Sequence, residues 1–182
     1  GRLTMGKVWL ILMLLTPLLG AAAALYLGNA RGRLVRLVSL AATLATLAFA
    51  ALIVVNYETP PLRTAGEPFA SDPDYALQVP WLVYSQGGST AATTINLQLG
   101  VDGLAIWLIG LTALLMVPAV LISWESISDR PAAYYALLLA LETAMLGVFC
   151  AYDVVLFYVF FEFTLLPLFF LIGLWGGPRK RF

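Results

Sequence analysis

Histidine is absent from this 182-residue chain, and cysteine occurs once, at Cys150. A lone thiol excludes a disulfide framework. Without histidine or a second cysteine, the usual zinc, haem and iron–sulfur ligand sets cannot be assembled from these residues. Any redox cofactor must therefore belong to a partner. Charge is also scarce, at 11% of residues against about 25% in soluble domains. Ten basic residues balance ten acidic ones, so net charge argues neither for a nucleic-acid partner nor for an anionic surface. There is no close internal repeat and no low-complexity tract.

Apolar length is what the chain has in abundance, with 62% hydrophobic residues. Five stretches reach the roughly 20 residues that a helix needs to cross a hydrocarbon core. They are Val8–Leu27, Leu34–Val55, Leu104–Trp124, Ala132–Ala151 and Val154–Trp175. In lipid each backbone polar group must be paired within its own segment, so the pattern predicts an all-α membrane protein with five transmembrane helices. The first stretch also imitates a signal peptide, with Lys7, an apolar run and the small residues Ala21–Ala24. Cleavage there would force the second stretch to insert behind three arginines in the unfavoured direction, which supports a retained first helix.

The connections carry orientation. Arg31, Arg33 and Arg36 cluster around the join of the first two stretches, and Arg179, Lys180 and Arg181 follow the fifth. The long second connection holds Glu58, Glu67, Asp72 and Asp74 against Arg63 alone. By the positive-inside tendency, residues 28–33, 125–131 and the C-terminus are cytoplasmic, while the N-terminus and the acidic loop are outside. The organisation reads as helices one and two over 1–55, an external acidic, Pro-rich loop over 56–103, helices three to five over 104–175, and a basic tail over 176–182. Val79–Tyr84 and Ile95–Leu99, around Gly87–Gly88, form a weak hairpin signal. Asp102 is placed to cap the helix that begins near Leu104. Trp9, Trp81, Trp124 and Trp175 fall near segment ends or in the loop, as an interfacial belt does.

Against this background two carboxylates stand out. Glu142 and Glu162 each lie nine residues from the turn at Ala151–Asp153, about 13 Å below it, where half a hydrocarbon core is about 15 Å. An ionised acid at that depth costs roughly 2.5–3.5 kcal/mol on insertion scales, so such groups usually turn inward and belong to a transport path. The plainer role is a neutral acid that bonds a neighbouring helix. Desolvation favours the neutral carboxyl and an approaching cation favours the charged one. One cation ~7 Å away, at an effective dielectric of ~20, shifts that balance by about 2.4 kcal/mol, enough to load or unload a proton. Tyr158, one turn before Glu162, is a candidate hydrogen-bond partner, and Pro167 frees the Phe163 carbonyl and is expected to kink the helix beside the acid. Pro17 and Pro118 interrupt helices one and three in the same way.

Three segments carry a resemblance. They are ETAMLGVFCAYDVVLFYVFFEFTLLPLFFLIGLWGG (Glu142–Gly177), LGVDGLAIWLIGLTALL (Leu99–Leu115) and SWESI at 123–127. Together they resemble the antiporter-like subunit M of bacterial NADH-quinone oxidoreductase, the respiratory complex I counterpart of mitochondrial subunit 4. The resemblance implies a proton-pumping subunit of a larger enzyme of the translocase type, in the bacterial inner membrane. It implies other complex I membrane subunits and the bilayer as partners. NADH, FMN, Fe–S clusters and quinone are implied on partner subunits, with no cofactor on this chain. The family's functional glutamate falls on Glu162, and Glu142 is implied as an auxiliary proton site. The family's bundle has about fourteen helices in two inverted repeats built around broken helices. The chain is therefore expected to be an N-terminal fragment, lacking the later helices, seven and eight, that supply lysine partners. No Lys or Arg is expected at membrane depth here, and Phe161 stands where many relatives carry Trp. Two rivals remain at this point: a subunit of a multi-subunit Na+/H+ antiporter, and a structural membrane scaffold.

Overall fold

The apolar runs fold as five helices: α1 Met5–Leu27, α2 Gly32–Asn56, α3 Ala105–Ser126, α4 Pro131–Cys150 and α5 Val154–Trp175. The structure is a computed structural model describing residues 5–57, 75–85 and 92–176. All five helices are long and apolar enough to cross a membrane, as expected for an all-α membrane protein. The bounds depart from those expected by at most three residues, because the apolar run counts Met5–Lys7 out while the backbone winds them into α1.

Local chemistry sets the helix ends. Asp102 Oδ1 accepts from the amides of Leu104 at 3.0 Å and Ala105 at 2.6 Å, the expected cap of α3. Asp153 Oδ2 accepts from Leu156 N at 3.1 Å and caps α5. Pro131 opens α4, where a missing amide costs nothing. Gly28 closes α1 with φ +68, a conformation that glycine adopts without a Cβ penalty, and a short 3-10 turn, Asn29–Arg31, leads into α2.

The helix α4 is central, with 56% of its membrane window buried, whereas α5 lies at the side with 6%. One core cluster joins Leu10 and Met13 of α1, Ile53 of α2, Ile109 of α3 and Leu146 of α4. A second joins Ala24, Val35, Met116, Val120, Tyr135 and Leu139. Between the loop and the helices sits an antiparallel hairpin, β1 Leu77–Ser85 and β2 Ala92–Leu99, longer than the weak signal suggested. Its register shifts between Pro80 and Leu82, beside a proline that has no amide to give to the ladder. Gly87–Gly88, the acidic residues 58–74 and the basic residues 179–181 lie outside the described residues.

Both ends of the bundle are tied across helices. At one end Gly100 N donates to Cys150 O and Tyr152 N to Gln98 O, each at 2.8 Å, so β2 pairs with the α4–α5 linker. At the other end Ala132 N donates to Asn29 Oδ1 at 3.2 Å, Arg36 Nη2 to Ile127 O at 2.8 Å, and Trp175 Nε1 to Asp129 O at 3.0 Å. The starts of α2 and α4 therefore lie together, and the two helices run the same way.

Candidate functional site

Glu142 occupies the interior of the most buried helix. It is 0% exposed, and neither carboxyl oxygen has a hydrogen-bond partner. Its surroundings follow from one close crossing. A Cβ on Gly20 would come within 2.6 Å of Ala42 Cβ and 3.2 Å of Leu139 Cδ1, so α1, α2 and α4 converge there. Counting from that crossing along the parallel helices, Glu142 falls at a height between Thr43 and Thr46. On α1, which runs the opposite way, the same height is reached at the buried Pro17. Ser39, Thr43 and Thr46 are fully buried on one face of α2. Each donates back to a carbonyl of its own helix: Ser39 to Val35 at 2.8 Å, Thr43 to Leu40 at 3.0 Å and Thr46 to Ala42 at 2.9 Å. Thr143 does the same toward Leu139 at 3.2 Å. At the near end of this stripe, the half-buried Arg36 lies near the buried Tyr135 of α4, whose hydroxyl has no hydrogen-bond partner.

Glu162 is placed differently. It is exposed on the outward side of α5, in a shallow groove with Tyr158, Val159, Phe160, Phe163 and Leu166. Tyr158, one turn earlier on the same helix, is 59% exposed and lines this groove beside Glu162. Pro167 is the sole described residue of α5 that is buried, and the helix continues unbroken past it to Trp175. Phe160 packs against Gly147, and the Tyr134 and Trp175 rings meet with centroids 5.3 Å apart, so α4 and α5 are an antiparallel pair. By that register Glu162 and Glu142 differ in height by about 4.5 Å. They share a depth band, yet they do not share a polar seam, because one faces into the bundle and the other away from it.

Sequence reasoning missed Arg36, Ser39, Thr43, Thr46 and Tyr135. The signal was present, since positions 36, 39, 43 and 46 are polar at the spacing of one helical face in an otherwise apolar run. Arg36 lies in the first turns of α2, where it donates to Ile127 O and sits near Tyr135. Among the described residues no group of three His, Cys, Asp or Glu gathers to hold a metal ion. The chemistry on offer is proton holding by two carboxyls and hydrogen bonding by hydroxyls.

Comparison with known proteins places this arrangement. No protein-family model matches the chain. It is 32% identical over 169 residues to NADH-ubiquinone oxidoreductase chain 4 of Arabidopsis thaliana, covering 93% of this chain and 31% of that protein. It is 32% identical over 176 residues to NAD(P)H-quinone oxidoreductase chain 4 2 of Thermosynechococcus vestitus, covering 96% of this chain and 30% of that protein. To F(420)H(2) dehydrogenase subunit M of Methanosarcina mazei it is 41% identical over 86 residues, 47% of this chain and 17% of the relative. The chain thus spans about a third of the length of the chain 4 proteins it matches. It is similar along nearly its whole length to chain 4 proteins, and over 47% of its length to a subunit M.

Proposed function

We propose that the chain is part of the proton-translocating membrane subunit of an NADH:quinone oxidoreductase of the respiratory complex I type. The similarity to chain 4 proteins over 93% of the chain carries this reading. In it, Glu162 is the principal proton-transfer carboxylate, Tyr158 holds it, Pro167 leaves a backbone carbonyl free beside it, and Glu142 is an auxiliary proton site. NADH, FMN, Fe–S clusters and quinone reside on partner subunits, and other membrane subunits of the complex and the lipid bilayer are the chain's neighbours. Residues 28–33, 125–131 and the C-terminus face the cytoplasm of a bacterium and the hairpin faces outside. The names of the three relatives above, oxidoreductases and a dehydrogenase, weigh against the Na+/H+ antiporter rival.

Glu162→Gln in the complete subunit, assembled into its complex, tests this. The expected outcome is proton uptake into vesicles reduced at least tenfold, with NADH oxidation by the non-membrane part retained. Glu162→Asp keeps a titrating group and retains part of the uptake. Full pumping in the Gln variant removes Glu162 from the path and favours the scaffold.

A further inference from the structure

The buried hydroxyl stripe of α2 has no part in the chemistry at Glu162, which lies on the far side of α4. The stripe begins at Arg36 and Tyr135 and passes Ser39 and Thr43 to Thr46, bracketing the height of Glu142. We propose that Arg36, Tyr135, Ser39, Thr43, Thr46 and Glu142 form a proton-intake path inside the α1–α4 bundle, with water molecules as its ligands and Glu142 as its terminus. This deepens the reading of Glu142 as an auxiliary proton site and rests on it.

Geometry supports each link. Successive hydroxyls rise by about 6 Å from Ser39 to Thr43 and about 4.5 Å from Thr43 to Thr46. One water bridging two hydroxyls spans up to about 5.5 Å, so one water reaches from Thr43 to Thr46 and two in series are needed from Ser39 to Thr43. A hydroxyl that donates to its own helix still has lone pairs to accept from such a water. If packing alone explained the stripe, the Glu142 carboxyl would have no use for it. Instead that carboxyl is fully buried with both oxygens unpartnered, and buried polar groups of this kind are normally satisfied by ordered water. At the same height the buried Pro17 has no amide, so the buried Met13 is left with a carbonyl that α1 does not use. The transfer balances along the waters: a hydrated proton at the mouth is passed from water to water, and a Glu142 carboxylate ends as the neutral acid. The Ser39, Thr43 and Thr46 hydroxyls hold those waters by accepting from them, and Arg36, which has no acceptor, only positions the mouth.

The experiment uses the complete subunit in its resting complex, so it requires no turnover. Infrared difference spectra on transfer to D2O follow the carbonyl band of the protonated Glu142, assigned by its loss in Glu142→Gln. Thr43→Val with Thr46→Val keeps shape and removes the hydroxyls, and is expected to slow deuteration at least tenfold. Thr43→Ser with Thr46→Ser restores the wild-type rate. Ser39→Ala, a smaller change, gives the same direction where the valine pair does not assemble. Exchange at the wild-type rate in the hydroxyl-free variants, or no Glu142-dependent band in the first place, overturns the path. Failure of the overall functional reading appears elsewhere, as undiminished pumping in Glu162→Gln.

Discussion

Glu142 and Glu162 have the same side chain at nearly the same depth, yet their surroundings ask different things of each. Glu142 is enclosed without a partner, and a buried acceptor left unsatisfied costs stability. Glu142→Leu, of similar volume, is therefore expected to leave thermal unfolding of the detergent-solubilised protein unchanged or to stabilise it by about 1–3 kcal/mol. A carboxyl serving as glue between helices would instead lose about 1 kcal/mol in the same melt. Glu162, on the outward face, lies in a groove that Tyr158 also lines, one turn earlier on the same helix. Which way each acid faces was not readable, because α4 and α5 are apolar all round and neither presents a distinct polar side.

Among the elements, α4 is held on several sides and α5 mainly on one. The close approach of α5 depends on Gly147, where an added Cβ would overlap the Phe160 ring. Gly147→Ala must push α5 outward or force Phe160 off its rotamer, at a cost of about 1–3 kcal/mol. The expected outcome is a lower melting temperature for the subunit and a loosened Tyr134–Trp175 contact, read by tryptophan fluorescence at Trp175. A glycine in the middle of α4 gave a hint of such an approach in the sequence. Its partner ring was not deducible, since α5 offers phenylalanines around its whole circumference. The hairpin was legible only in part, as its β2 strand draws on pairing with the α4–α5 linker, far along the chain.

At the scale of the molecule, the hairpin end of the bundle is a three-way tie of β2, the start of α3 and the linker before α5. Asp102 caps α3 and faces the Tyr152 hydroxyl in that linker. Burial first, then the neighbouring Asp102 carboxylate, push the Tyr152 phenol well above its ordinary range. The folded protein therefore holds this proton when the unfolded chain has released it. Stability from this group is fully present below the ordinary tyrosine value, about 10, and is lost as pH rises beyond it. Tyr152→Phe is expected to flatten the alkaline fall in stability, measured as helix content in detergent against pH from 9 to 11. An unchanged alkaline limb would show that Tyr152 contributes nothing to it.

By itself the sequence determined the number of helices, their approximate bounds, the Asp102 cap and the presence of two acids at membrane depth. Each of these depends on local composition, run length or hydrogen bonding within a few residues. Only the tertiary structure decided that Glu142 is enclosed in the bundle at the height of a buried hydroxyl stripe while Glu162 is exposed, and that Arg36 lies near Tyr135. Those outcomes depend on how apolar helices are rotated about their axes. In such helices the hydrophobic pattern favours no face, and rotation is settled by close packing at a few small residues such as Gly20 and Gly147.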